Sequence, residues 1–192
     1  DMLFKNDLEG KKVLITAGGM SEPIDGVRRI TNRSSGKMGM SLARAALRRG
    51  AEVTVIAGNI TATVPKGVNL VNVETTDEMC SAVLGKLPDV DFIIKAAAPS
   101  DYKVKNATNK KIKEKSFTLE LVKNVDIAQE VGKIKGDKKL VIFAAEVENL
   151  EEDAKSKLIS KNADLVVAND VTKVGAGFNT DTNDVMIIDR AG

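Results

Sequence analysis

The sequence predicts an α/β fold: a mostly parallel sheet with helices on both faces. Three observations predict it. Short runs rich in Val and Ile recur along the 192 residues, helix-forming stretches fall between them, and Gly, Pro or Asn marks many of the junctions. Alternation of this kind builds βαβ units, whose crossover helices cover the sheet they connect. A hydrophobic content of 43% supplies one sizeable core. Residues 1–192 therefore read as a single domain, with residues 1–10, "DMLFKNDLEG", linker-like.

The first element, "KKVLITAGG", is a β-branched apolar run ending in glycines and reads as a buried parallel strand. After a polar loop, "MGMSLARAALRRG" reads as a helix with Arg48 and Arg49 in its last turn and Gly50 just past its end. "AEVTVIAG" and "LVNVET" follow as strands. Asp77 is expected to cap the next helix, "EMCSAVLGKL", because Met79, Val83 and Leu87 fall at helical spacing behind it. "DFIIKAAA" is a further strand. The pattern resumes with "IAQEVGKI", "KLVIFAAE", "LEEDAKSKLISK", "ADLVVAND" and "DVMIID". Residues 99–124 interrupt it, being polar and lysine-rich before "FTLELV", which has the period of a strand. A segment too polar for the core reads as a protruding flap over a site, or as an arm pairing with a second subunit.

Composition narrows the chemistry. Histidine is absent and Cys80 is the sole cysteine, which excludes Ser-His and Cys-His nucleophiles, His-ligated zinc and an internal disulfide. Lysine, arginine, carboxylates, amides and backbone N–H groups remain. With 29 basic against 27 acidic residues, the net charge of +2 gives no global reason to expect nucleic acid or an anionic membrane. No apolar run approaches the ~18 residues that span a bilayer, and the opening residues lack a signal-peptide core, so a cytoplasmic protein is expected.

Ligands of open α/β sheets collect at the carboxyl ends of the strands, here the loops from Gly18, Ala98 and Glu146 and the segment after Ala168. The first contains "ITNRSSGKMG". Ser34, Ser35 and Gly36 stand before a helix whose first N–H groups could hold a phosphate; equally, a serine could cap the helix while small residues let it pack closely. The stretch matches neither the P-loop nor the dinucleotide glycine fingerprint. Most lysines of "NKKIKEK" read as solvated surface, although one could clamp a phosphate. This run lacks arginine and has only Tyr102 and Phe117 nearby for stacking, which argues against nucleic acid. Cys80, Met38 and Met40 read as packing residues, and "GAGFNTD" as a loop.

From about Lys11 to Asp184, the ordered segments "VLITAGG", "EPIDGVRRITNRSSGKMG", "RRGAEVTVIAG", "AAAPSDY", "KIK", "LVKNVDI", "FAAE", "KNADLVVAND" and "GFNTD" resemble the phosphopantothenate-cysteine ligase family. The alternation of elements already predicts a Rossmann-like fold with a flap or dimerisation arm, and strand pairing through "FTLELV" would make a homodimer. The resemblance implies an enzyme of coenzyme A synthesis, often fused behind a flavin-dependent decarboxylase. Its substrates would be 4'-phosphopantothenate, L-cysteine and CTP, with Mg²⁺ bound mainly through phosphate oxygens. Carried residue by residue, it assigns Asn32 to the acyl-nucleotide intermediate, Arg28 to the catalytic set and Lys111 of the flap to the triphosphate. Nucleotide contacts would come from Ser34, Ser35, Gly36, Ala96, Ala97, Asp101, Val125, Asp126, Ile127, Ala128, Phe143, Lys157 and Lys161. The last two, four apart, would share one helix face.

The chain departs from the family pattern at Gly19, Met20 and Ser21, where a Pro-Thr-Arg run is usual. Glu114 replaces a common lysine, and Ile142 a common glycine before "FAAE". Two other readings compete. An NAD(P)-dependent oxidoreductase is disfavoured by the missing glycine fingerprint and by Asn106, which stands where a lysine would follow Tyr102; a non-catalytic nucleotide-binding module is separated only by assay.

Overall fold

The computed structural model describes residues 5–146, 149–170 and 183–191. In chain order the strands are β1 (Lys12–Ala17), β2 (Ser21–Pro23), β3 (Arg29–Thr31), β4 (Glu52–Ala57), β5 (Asn69–Asn72), β6 (Phe92–Lys95), β7 (Tyr102–Val104), β8 (Leu121–Lys123), β9 (Lys139–Glu146), β10 (Leu165–Asp170) and β11 (Val185–Asp189). The helices are α1 (Lys37–Arg48), α2 (Thr76–Lys86), α3 (Ile127–Ile134) and α4 (Leu150–Ser160). Seven strands form one sheet in the order β11-β10-β9-β6-β1-β4-β5, and all its pairings are parallel except β10 with β11. The α/β expectation holds, with one antiparallel edge.

Val13, Leu14, Ile15, Thr16 and Ala17 of β1 are all buried, as both faces of an inner parallel strand are covered. On one face Val13, Ile15, Val53 and Val55 pack with Met40, Ala43 and Ala46 of α1. On the other, Leu14, Ile93, Leu140, Ile142 and Val166 pack with residues of α2, α3 and α4, among them Met79, Val83, Val131 and Leu158. The contact of α1 with β1 is very close: a Cβ on Gly39 would lie 2.5 Å from the Ala17 methyl. The loop leading back to the sheet confirms Gly50 as the residue past the helix, with φ 89° and its N–H on the Leu47 carbonyl.

Thr75, not Asp77, caps α2. Its hydroxyl accepts the Glu78 N–H at 3.2 Å, and the Glu78 carboxylate reaches back to the Glu74 N–H at 2.8 Å. Asp77 lies inside the first turn and pairs instead with Lys103. Losing a threonine cap costs about 1 kcal/mol, and an exposed ion pair is worth less. Thr75→Ala should therefore lower the chemical-denaturation midpoint more than Asp77→Ala. The reverse order would contradict the assignment.

Two hairpins stand outside the large sheet. β2 pairs with β3, and β7 with β8, both antiparallel. The second carries the 99–124 segment, as expected of an excursion, but only Leu121 and Val122 of "FTLELV" are in a strand, β8, which continues to Lys123. The first was not expected at all. No helix among the described residues is long and apolar enough to cross a membrane.

Candidate active site at the carboxyl ends of β1 and β6

Strand order reverses between β1 and β6, which opens a crevice beyond their carboxyl ends. Its floor is knitted from three loops. Gly19 exchanges N–H and carbonyl with Asn59, at 3.1 and 2.9 Å, while the Ala98 N–H donates to the Gly18 carbonyl at 2.9 Å. Met20 is fully buried, the Ser21 N–H donates to Glu74, and Asn59 donates to the Ser21 hydroxyl at 2.6 Å. Gly19, Met20 and Ser21, where the chain departs from the family pattern, thus serve as scaffold. Ile142, another departure, is 2% exposed in the core, with Lys95 and Val166 as its strand neighbours.

Asn32 follows β3, and its side-chain amide donates to the Pro99 carbonyl beyond β6 at 2.9 Å. It bridges the two sides of the crevice. Next, Ser34 is half-buried and Ser35 buried, the Ser35 carbonyl being held by the N–H groups of Thr61 and Ala62. Gly36 is the N-cap of α1 at φ 76°, a left-handed conformation, and a Cβ there would lie 2.5 Å from Ile60. No N-cap side chain closes α1; the Ser35 hydroxyl takes only a long 3.4 Å contact from the Lys37 N–H. The alternative of a serine N-cap gives way to a helix end open to an anion.

Beside Lys95 of β6, Asp126 caps α3 by accepting the Gln129 N–H at 3.1 Å, and Lys161, the residue ending α4, reaches it at 2.9 Å. Burial works to raise the Asp126 carboxyl, yet the Lys161 ammonium and the Gln129 N–H outweigh it and hold it below its ordinary value. Lys157 is one turn back on α4 and half-buried. Lys95, the last residue of β6, points into the same electrostatic neighbourhood. Burial first, and then Lys161, push its ammonium down to about 8 against the pull of Asp126 and Asp101. Sequence reasoning passed over Lys95. The available signal was a cation closing the otherwise apolar run "FII" of a central strand.

The remaining residues divide into two groups. Ala97 is buried with its N–H on the Thr16 hydroxyl at 3.1 Å, Ala96 is half-buried beside it, and the exposed Asp101 accepts the Asn124 N–H through its carbonyl. Val125 leads into Asp126, while Ile127 and Ala128 are buried on α3, so any ligand contact from that pair falls to their backbone. Phe143 lies on β9 opposite Val167. Lys111 belongs to the flap, and Arg28 lies in the turn between β2 and β3 that contacts it. Arg28 is engaged by Asp25 and by the Ile112 carbonyl, with its guanidinium 5.2 Å from the Phe117 ring centre. Lys111 and Glu114 are exposed. Residues 171–182, "GFNTD" among them, lie outside the described residues, as do the side chains of Ala145, Glu146 and Asp170.

This arrangement, a helix N-terminus without a side-chain cap and a lysine cluster, both at the carboxyl ends of the adjacent strands β1 and β6, suits an elongated ligand carrying phosphate. Residues 8–192 match the family described as the DNA/pantothenate metabolism flavoprotein C-terminal domain. The chain belongs to this family. The resemblance read from the sequence is thereby supported by a match over nearly its whole length. The coenzyme A biosynthesis bifunctional protein CoaBC of Bacillus subtilis is 46% identical over 188 residues, covering 96% of this chain and 46% of that protein. The chain thus spans about half the length of the curated relatives it matches. Among solved structures, the C-terminal domain of a CoaBC superposes with TM-score 0.84 at 40% identity, covering 98% of this chain and 86% of that one. A Cab2 complex with phosphopantothenate-cysteine, at 17% identity and TM-score 0.77 over 96% of this chain and 82% of the other, shares the fold.

Proposed function

We propose that this chain is a ligase domain joining 4'-phosphopantothenate to L-cysteine through an acyl-cytidylate. What supports the reading is that Asn32, the uncapped start of α1 and the Lys95–Lys157–Lys161 cluster all lie toward the carboxyl ends of β1 and β6, in a chain of this family. A carboxylate oxygen of phosphopantothenate attacks the α-phosphorus of CTP, the bond to the bridging oxygen breaks and pyrophosphate leaves. The cysteine amine then attacks the acyl carbon, CMP departs with the C–O electron pair, and the amine proton is lost. Neither step needs a covalent enzyme intermediate, consistent with the absence of histidine and with a cysteine buried in the core. The protein's contribution is alignment and charge stabilisation. CTP would enter as its Mg²⁺ complex, the ion held by phosphate oxygens; among the described residues no group of three carboxylate, His or Cys ligands is placed to hold a metal.

The test mixes the protein with Mg²⁺, phosphopantothenate, cysteine and each nucleoside triphosphate in turn. Pyrophosphate and CMP should appear with CTP, dependent on phosphopantothenate. Their absence with every nucleotide would overturn the reading, and equal turnover with ATP would reject the cytidine assignment.

Lys95 gives the binding of nucleotide a pH dependence. Its ammonium is charged below about 8 and lost above, so attraction to the ligand is complete near pH 7 and fades as pH rises through that value. A contact with a charged group is worth roughly 1.5–3 kcal/mol, which is about a tenfold effect or more. CTP affinity should therefore fall about tenfold between pH 7.5 and 9.5 by calorimetry. Lys95→Met should flatten that limb; an unchanged profile in the variant would refute the role.

The arm supports the proposal of a homodimer. Val27, Tyr102, Phe117 and Leu121 are exposed on and beside the hairpins, at 66%, 47%, 42% and 46%. A second copy covering them would remove apolar surface from water on both subunits. Sedimentation should give a dimer at assay concentration, and a fully active monomer would exclude it.

A further inference from the structure

The turn between β2 and β3 grips the flap through one buried carboxylate. The Asp25 side chain has no exposed surface, and one of its oxygens accepts the N–H groups of Val27 and Arg28 at 2.9 and 2.8 Å. The other oxygen accepts Arg28 Nε at 2.9 Å and, from 87 residues further along the chain, the Ile112 N–H at 3.1 Å. Arg28 completes the grip by donating Nη2 to the Ile112 carbonyl at 2.7 Å. Both backbone groups of Ile112 are thereby held by side chains of the turn, much as a neighbouring strand would hold them. Gly26 lets the two segments meet, since a Cβ there would lie 2.3 Å from the Asn109 carbonyl oxygen. The Phe117 ring, also of the flap, lies over the guanidinium.

We propose that Asp25 is a positioning residue, which fixes the flap at Ile112 and so sets where the adjacent Lys111 meets the nucleotide phosphates. The Lys111 half of this rests on the ligase reading; the grip on the flap does not. Burial alone would make the carboxyl harder to ionise, yet the N–H groups of Arg28, Val27 and Ile112 hold it far below the ordinary carboxylate range. It stays an acceptor at every working pH. An amide cannot replace it, because an NH₂ group in either position would face N–H donors.

The experiment compares the parent, Asp25→Asn and Gly26→Ala by amide hydrogen exchange and by steady-state kinetics. Gly26→Ala keeps the carboxylate and pushes the flap away, so it tests the same contact should Asp25→Asn fail to fold. Exchange of the Ile112 amide should quicken at least tenfold in each folded variant, and the KM for CTP should rise about tenfold with a smaller change in kcat. Parental exchange at Ile112 would overturn the grip, and faster exchange with a parental KM would overturn the positioning role. A parent with no ligase activity would refute the proposed function instead, and the exchange data would still decide whether Asp25 holds the flap.

Discussion

Asn32→Asp should leave acyl-cytidylate formation near the parent rate while slowing transfer to cysteine by about 100-fold or more, so that the intermediate accumulates. An amide donates and accepts but is no base near neutral pH, and removing one preorganised donor from a developing oxyanion costs about 10²–10³ in rate. One hydrogen of the Asn32 amide is already engaged by the Pro99 carbonyl at 2.9 Å. The second is available to the acyl oxygen of a reactant in the crevice. Aspartate has nearly the same shape but places an oxygen against that carbonyl and negative charge where negative charge develops. Single-turnover measurement with labelled phosphopantothenate separates the two half-reactions. Product at the parent rate, or a loss confined to nucleotide binding, would reduce "ITNRSSGKMG" to a phosphate loop.

Lys111→Gln should act on the other half-reaction, reducing pyrophosphate release by about 10–100-fold, the worth of one charge-assisted contact. Lys111 is exposed and sits beside the gripped Ile112, so its ammonium can swing while its backbone stays placed. Glutamine retains the reach and a donor but not the charge. Once acyl-cytidylate is supplied, transfer to cysteine should proceed at the parent rate. Acyl-cytidylate formed by the variant as fast as by the parent would remove Lys111 from the mechanism.

Residues whose role is set by local pattern were legible in the sequence. The strands of the large sheet are apolar β-branched runs, and Gly36 before α1 is a short-range signal. The β2–β3 hairpin was not legible, because three-residue strands containing Pro23 and Arg29 show no period to detect. The antiparallel direction of β11 is equally silent in "DVMIID", since strand alternation is the same for either direction. Asp77 and Thr75 are both competent caps by type; the choice is made by which side chain meets the Glu78 N–H. At the site, Lys161 comes from the family resemblance, its spacing from Lys157 showing only that the two share a helix face; its pairing with Asp126, 35 positions earlier, has no local signal. The Asp25–Ile112 contact joins segments so far apart that no window of sequence contains both.

The position of β1 shapes how the molecule can be built. One of its edges is taken early by Glu52–Ala57, whereas the other waits for Phe92–Lys95. At synthesis rates of roughly 5–20 residues per second, that second edge stays bare for about 4–16 s while the intervening chain is made. During that interval a row of unpaired N–H and carbonyl groups, flanked by apolar side chains, is presented to whatever strand arrives first. The crevice beyond β1 and β6 is the last consequence of the delay, since its two walls come into register only when β6 closes the gap.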